Sequence, residues 1–96
     1  MGAMTVGALR MDFAIYESRS LKDKRRLLKG FKDRLTARYH VSVAEVEHLD
    51  LWQRATVAVA MVSNDPVQVH SCLDQMVDFA RRQPGLSLLD YEKTLW

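Results

Sequence analysis

From Val6 to Tyr16, hydrophobic and polar positions alternate. Leu9, Met11, Phe13 and Ile15 fall on one side, and Ala8, Arg10, Asp12 and Ala14 on the other. This is the two-residue period of a strand with one buried face. Glu17-Ser18-Arg19 is a short connection, after which the period changes. Leu21, Leu28, Phe31 and Leu35 recur at helical spacing, and Leu27 widens the stripe. Ser20 suits the N-cap, and Asp23 makes a near capping box with Asp in place of Glu or Gln. The predicted helix runs to Arg38 or Tyr39. Gly30 costs it about 1 kcal/mol against alanine and would let it approach a neighbour closely. Val41 to Glu47 alternates weakly and is a second strand; His48 to Gln53 is a loop. Ala55 to Val62, small and β-branched, is a central strand. Asp65 can cap a second helix, with Pro66 at its first position. Val69, Leu73, Met76, Val77 and Ala80 form its apolar face, Arg81 and Arg82 suit its dipole, and Pro84-Gly85 ends it. Leu86 to Leu95 is the last strand, with Leu89, Tyr91 and Leu95 expected on one face.

The order strand, helix, strand, strand, helix, strand, with right-handed crossovers, gives a ferredoxin-like α+β domain. Its four-stranded antiparallel sheet carries both helices on one face. One domain spans residues 4–96; Met1-Gly2-Ala3 ahead of Met4 reads as a cloning remnant. The core should combine Leu9, Met11, Phe13, Leu28, Phe31, Leu35, Val57, Val59, Leu73, Met76 and Val77. The other sheet face presents Ala8, Arg10, Asp12 and Ala14 with Thr56, Ala58 and Ala60. It offers no aromatic on which an RNA base could stack. A flat alanine-rich face suits a packed second layer, so Ala8, Arg10, Asp12, Ala14, Ala58 and Ala60 are candidate interface residues for a homodimer.

Charge adds the most informative asymmetry. The net charge is only +2, but residues 19–38 hold nine cations against Asp23 and Asp33, a local +7. The other five cations and ten acids leave the rest of the chain at −5. Around the first helix, Lys22, Arg26 and Lys29 lie opposite the leucine stripe, with Arg25 and Lys32 on one flank. The successive pairs Lys22–Arg26 and Arg25–Lys29 are repulsive i,i+4 spacings, and only Lys29–Asp33 is attractive. Two readings stay open: a surface for an external anion such as phosphate backbone, or a solvated basic face beside an acidic remainder. Under the first, Arg19, Lys22, Arg25, Arg26, Lys29, Lys32 and Arg38 are candidate nucleic-acid contacts.

Other residues offer less chemistry. Lys24 falls on the apolar side of its helix; its stem can pack while the amine reaches the edge, or it can pair with Glu17 or an acid on the sheet. Glu45, Glu47, His48 and Asp50 could in principle hold a cation, but Glu45 and Glu47 share a strand face, the other two sit in a turn, and no distant ligand completes a set. No metal and no cofactor are expected. Trp52 should anchor over the sheet or helix edge, and Arg54 could pair with Asp12 or Asp50. Cys72, the single cysteine, reads as a small buried hydrophobe. The lack of disulfides fits the cytoplasm. No segment is apolar enough to span a bilayer. No nucleophile elbow, phosphate loop or Cys-His arrangement is present, so a non-enzymatic role is expected.

Three stretches carry a family resemblance: Ser20-Leu21-Lys22-Asp23-Lys24-Arg25-Arg26, then His40-Val41-Ser42-Val43-Ala44-Glu45-Val46, then Asp50-Leu51-Trp52-Gln53-Arg54-Ala55 with Val62-Ser63-Asn64-Asp65. Together they resemble the YlxP-like family of bacterial domains of unknown function. His40 stands where that family often has Asn. The resemblance implies a ferredoxin-like fold. Family genes often lie near translation-initiation and ribosome-maturation genes, which implies a ribosome or RNA association by neighbourhood. It implies no activity and no catalytic residues. The expected function is a non-enzymatic RNA- or ribosomal-subunit-associated accessory domain; the alternative is a homodimeric interaction module without nucleic acid.

Overall fold

The computed structural model describes residues 4–96, so the reading of residues 1–3 lies outside the described residues. The elements are β1 (Thr5–Ala14), α1 (Leu21–Tyr39), β2 (Ser42–Glu47), β3 (Arg54–Ser63), α2 (Pro66–Arg81) and β4 (Ser87–Leu95). The strands form one antiparallel sheet in the order β2-β3-β1-β4. This is the ferredoxin-like α+β topology.

Each helix begins where the sequence supplies acceptors for its free amides. The Ser20 side chain accepts from the Asp23 amide at 3.0 Å, and the Asp23 carboxylate accepts from the Arg19 amide at 3.0 Å. The reciprocal bond of a capping box thus reaches one residue further out than usual. Asp65 Oδ1 accepts from the Val67 amide at 2.9 Å to start α2. His40 closes α1 in the left-handed conformation, φ 54° and ψ 54°, its amide bonded to Thr36 O at 3.0 Å. Asn tolerates that conformation better than most residues.

All eleven expected core residues are buried together. Ile15, Val41, Ala55, Val69, Ala80 and Leu86 complete the layer. Phe13, Phe31, Phe79 and Tyr39 form a chain of edge-to-face contacts, with centroids 5.5 to 6.2 Å apart, that ties sheet to helices. Gly30 plays no part in close packing: a Cβ there would meet only the far end of the Arg34 side chain. The glycine that does allow close approach is Gly7, on β1 beneath α2.

Two bulges change which side chains share a face. On β4 the register shifts between Asp12 and Phe13, so Leu88, not Leu89, pairs with Phe13. Leu88 packs against the core and Leu89 is exposed, contrary to the expected Leu89, Tyr91 and Leu95 face. Lys93 lies opposite Leu9 and reaches Asp74 of α2, whose hydrogen bond raises the lysine's pKa above its usual range. On β2, Val46 is the extra residue between Glu45, opposite Val57, and Glu47, opposite Thr56. Glu45 and Glu47 therefore point to opposite faces. Glu45 turns to the helix side and Glu47 meets Arg10 on the open side. The four candidate cation ligands are not gathered into one site.

Candidate nucleic-acid interface

The basic helix is oriented by its apolar stripe. Lys24, Leu28, Phe31 and Leu35 are its buried residues, so the opposite surface of α1 faces outward. Lys22, Arg25, Arg26 and Lys29 are exposed there, and Lys32 is half-buried on one flank. Lys29 bonds Asp33 at 2.7 Å, which holds its ammonium above the usual lysine range. Among the described residues, no acidic side chain forms an ion pair with Lys22, Arg25, Arg26 or Lys32. Of the two acids in the segment, Asp33 pairs with Lys29 and Asp23 accepts from the Arg19 amide. Arg26 shares a shallow depression with Asp23 and Glu17.

The seven expected contacts do not form one surface. Arg19 is exposed just before the helix. Arg38 lies roughly 160° around the helix from Lys22, turned toward α2. Its guanidinium sits 5.6 Å from the ring centroids of both Tyr39 and Phe79. There it lines a groove of about 390 Å³ with Gln75, Asp78, Arg82 and Gln83. Arg34 reaches across to Gln83 Oε1 through its Nε at 3.0 Å. Arg82 therefore belongs beside Arg38, while its neighbour Arg81 pairs with Asp78 at 3.8 Å and covers the Tyr91 ring. The roughly 160° separation of Arg38 follows from spacing within α1 alone, whereas the groove does not, because its other wall comes from α2.

The N-terminal third of α1 is locked to the β2–β3 loop by Lys24. The side chain is fully buried, and its ammonium donates to His48 O at 2.8 Å and to Leu49 O and Arg54 O at 3.3 Å each. Three hydrogens serve three carbonyls, so Glu45 Oε2, 2.9 Å away, acts as counter-charge without its own hydrogen bond. The lysine does not snorkel to the edge; it pairs with an acid on the sheet. The loop it holds presents Leu49, Leu51 and Trp52 to solvent, with Trp52 54% exposed and not an anchor over the core. Arg54 forms no ion pair with Asp12 or Asp50 among the described residues; its carbonyl serves Lys24.

The open sheet face is partly tiled. Asp12 accepts from Thr56 Oγ1 at 2.6 Å, and Arg10 pairs with Glu47. Ala14, expected at an interface, is only 3% exposed and offers no surface. Ala8 and Ala58 are half-buried and Ala60 is exposed. The apolar part of this face lies at its other end. There Val6 pairs with Val62 on one side and exchanges backbone bonds with Trp96 on the other. Val62 and Trp96 are both well exposed.

The family described as "Protein of unknown function (DUF503)" matches residues 6–93. The chain belongs to this family. It is 34% identical over 81 residues to "Uncharacterized protein YlxP" of Bacillus subtilis (strain 168), covering 84% of this chain and 88% of that protein. Two solved structures share the fold. The de novo designed protein Foldit4 aligns with a TM-score of 0.56 over 97% of this chain and 96% of its own, at 13% identity. The de novo designed protein Ferredog-Diesel aligns with a TM-score of 0.50 over 98% and 86%, also at 13% identity. These likenesses carry the ferredoxin-like fold of this DUF503 domain and nothing about its ligands. Among the described residues of the DUF503 domain, no helix is long and apolar enough to cross a membrane.

Proposed function

We propose that this DUF503 domain is a non-enzymatic accessory domain that binds RNA, free or in a ribosomal subunit, through the phosphate backbone. The observation that carries this reading is the outer ridge of α1, where Lys22, Arg25, Arg26 and Lys32 stand without acidic partners among the described residues. Such cations release counterions from phosphate and position a protein without reading sequence. The neighbourhood of the resembling family's genes points the same way. This role belongs in the cytoplasm, in keeping with the lone cysteine.

The test is salt-dependent binding to purified ribosomal subunits and to plain RNA. Three to five phosphate contacts give a log–log slope of about −2 to −4. Reversing Arg25 and Arg26 to Glu should weaken binding on every sequence and flatten the slope by about 1.5. Stability should change by less than about 0.5 kcal/mol, because these charges are exposed. Arg26 is a better target than Lys29, which Asp33 already neutralises. Unchanged binding after the double reversal would leave the ridge merely solvated.

A second reading rests on the apolar end of the open sheet face, where the half-buried Val6 adjoins the exposed Val62 and Trp96: a homodimer joined there. Sedimentation should then show a dimer at micromolar concentration that Val62→Glu converts to monomer. A strict monomer of the native chain would retire this reading.

A further inference from the structure

The ridge explains contact with phosphates but gives no means of telling single strands from duplex. Such a means lies at the end of the molecule where α1 begins. Tyr16 is 70% exposed and Trp52 54% exposed, on two different loops. Both loops are pinned. The Gln53 side-chain amide donates to Tyr16 O and Ser18 O, each at 3.1 Å, and the Ile15 amide donates to Gln53 O at 2.9 Å. On the other side, the buried Lys24 ammonium grips His48, Leu49 and Arg54 through their carbonyls. Trp52 shares a shallow depression of about 380 Å³ with Leu51, Arg54, Asp50 and Gln53. An exposed aromatic ring on a pinned loop, with Arg54 lining the same depression, is an arrangement on which unpaired bases stack. The helical turn that supplies Lys24 also supplies Lys22, Arg25 and Arg26, so cations and aromatics meet at one end.

We infer that Trp52 and Tyr16 form a stacking platform for unpaired bases of single-stranded RNA, whose phosphates continue onto the α1 ridge. This rests on the proposed phosphate-binding role and narrows it to single strands. The middle of the sheet face, where domains of this topology often place aromatics, carries Ala, Thr and charged residues, and its one exposed aromatic among the described residues, Trp96, lies at the far end beside Val6 and Val62. The pinned backbone matters because a base gains most from a ring that is already ordered. A lipid surface is the competing occupant of an exposed aromatic tip. The charges beside it, Glu17 and Asp50 as well as Arg54, oppose insertion into a hydrocarbon phase, and the two carboxylates keep the contact at this point to the base and not its phosphate.

The experiment uses the full chain carrying Trp96→Phe, which leaves Trp52 as its sole tryptophan, with an oligouridylate of about 12 nucleotides and an RNA duplex of the same length. Trp52 emission should quench on the single strand and not on the duplex. Trp52→Ala should weaken single-strand binding by about 5- to 150-fold, the equivalent of about 1–3 kcal/mol, while leaving duplex affinity and the salt slope unchanged. Trp52→Phe should restore most of the loss. If Trp52→Ala leaves single-strand affinity intact, or lowers duplex affinity equally, the platform is overturned while the ridge stands. If the native chain binds neither RNA, both fail. Emission that shifts with phosphatidylserine vesicles but not with RNA overturns the platform in favour of a membrane surface.

Discussion

Replacing Lys24 with methionine should destabilise the domain by about 3–5 kcal/mol, a large part of the roughly 5–15 kcal/mol that holds such a domain folded. Methionine can follow the path of the lysine stem, so little packing is lost. What is lost is charge and hydrogen bonding. Three carbonyls of the β2–β3 loop lose their donor. Glu45, only 13% exposed, loses its counter-charge. Breaking one side of a buried pair costs more than the pair contributes, because the surviving partner stays desolvated. The double variant Lys24→Met with Glu45→Met should therefore be less damaging than the two single changes added together. Urea unfolding reads both, with the midpoint falling and the m-value unchanged. Amide exchange should show the Leu51 amide, now bonded to His48 O at 3.0 Å, opening well before the core. A loss under about 1 kcal/mol would mean that water already reaches the ammonium.

Gly7→Ala should cost about 1–3 kcal/mol, much more than an ordinary glycine-to-alanine change in a strand. Gly7 faces α2, and a Cβ there would overlap Val69 Cγ1 and lie 3.3 Å from Leu73 Cδ1. Both neighbours are fully buried and cannot swing away. Adding Val69→Ala removes the colliding methyl, so the double variant should recover part of the stability lost by Gly7→Ala. Thermal melting resolves the difference, since 1 kcal/mol moves the midpoint by roughly 4–8 °C in a domain of this size. Full stability in Gly7→Ala alone would show that α2 can lift off β1 at little cost.

Periodicity carries the fold. The strand and helix patterns, Ser20 and Asp65 at the helix starts and the continuous β3 run each obey local rules, so the element order and the eleven core positions are legible in the amino-acid sequence alone. The same rules fail at the bulges. One extra residue in β2 and one in β4 reverse the side of everything beyond them, and no turn or glycine marks either place in the sequence. Glu45 and Glu47, two apart, thus read as neighbours on one face and are on opposite faces. Lys24 is legible as an oddity, since a lysine among leucines demands a partner, but its partner Glu45 lies on another element.

By itself the sequence determined the helix–strand order, the buried face of each element and the outward, basic face of α1, because these follow from side-chain spacing along one segment. Only the tertiary structure decided which other elements each cation meets. Arg38, turned off the ridge by helix geometry, meets Arg82 in a groove against α2, and the Lys24 clamp brings the loop of Trp52 to the start of the basic helix. Distances between segments depend on how far each helix sinks onto the sheet. The close approach of α2 at Gly7 and the partners of the buried Lys24 appear only when the whole core is packed.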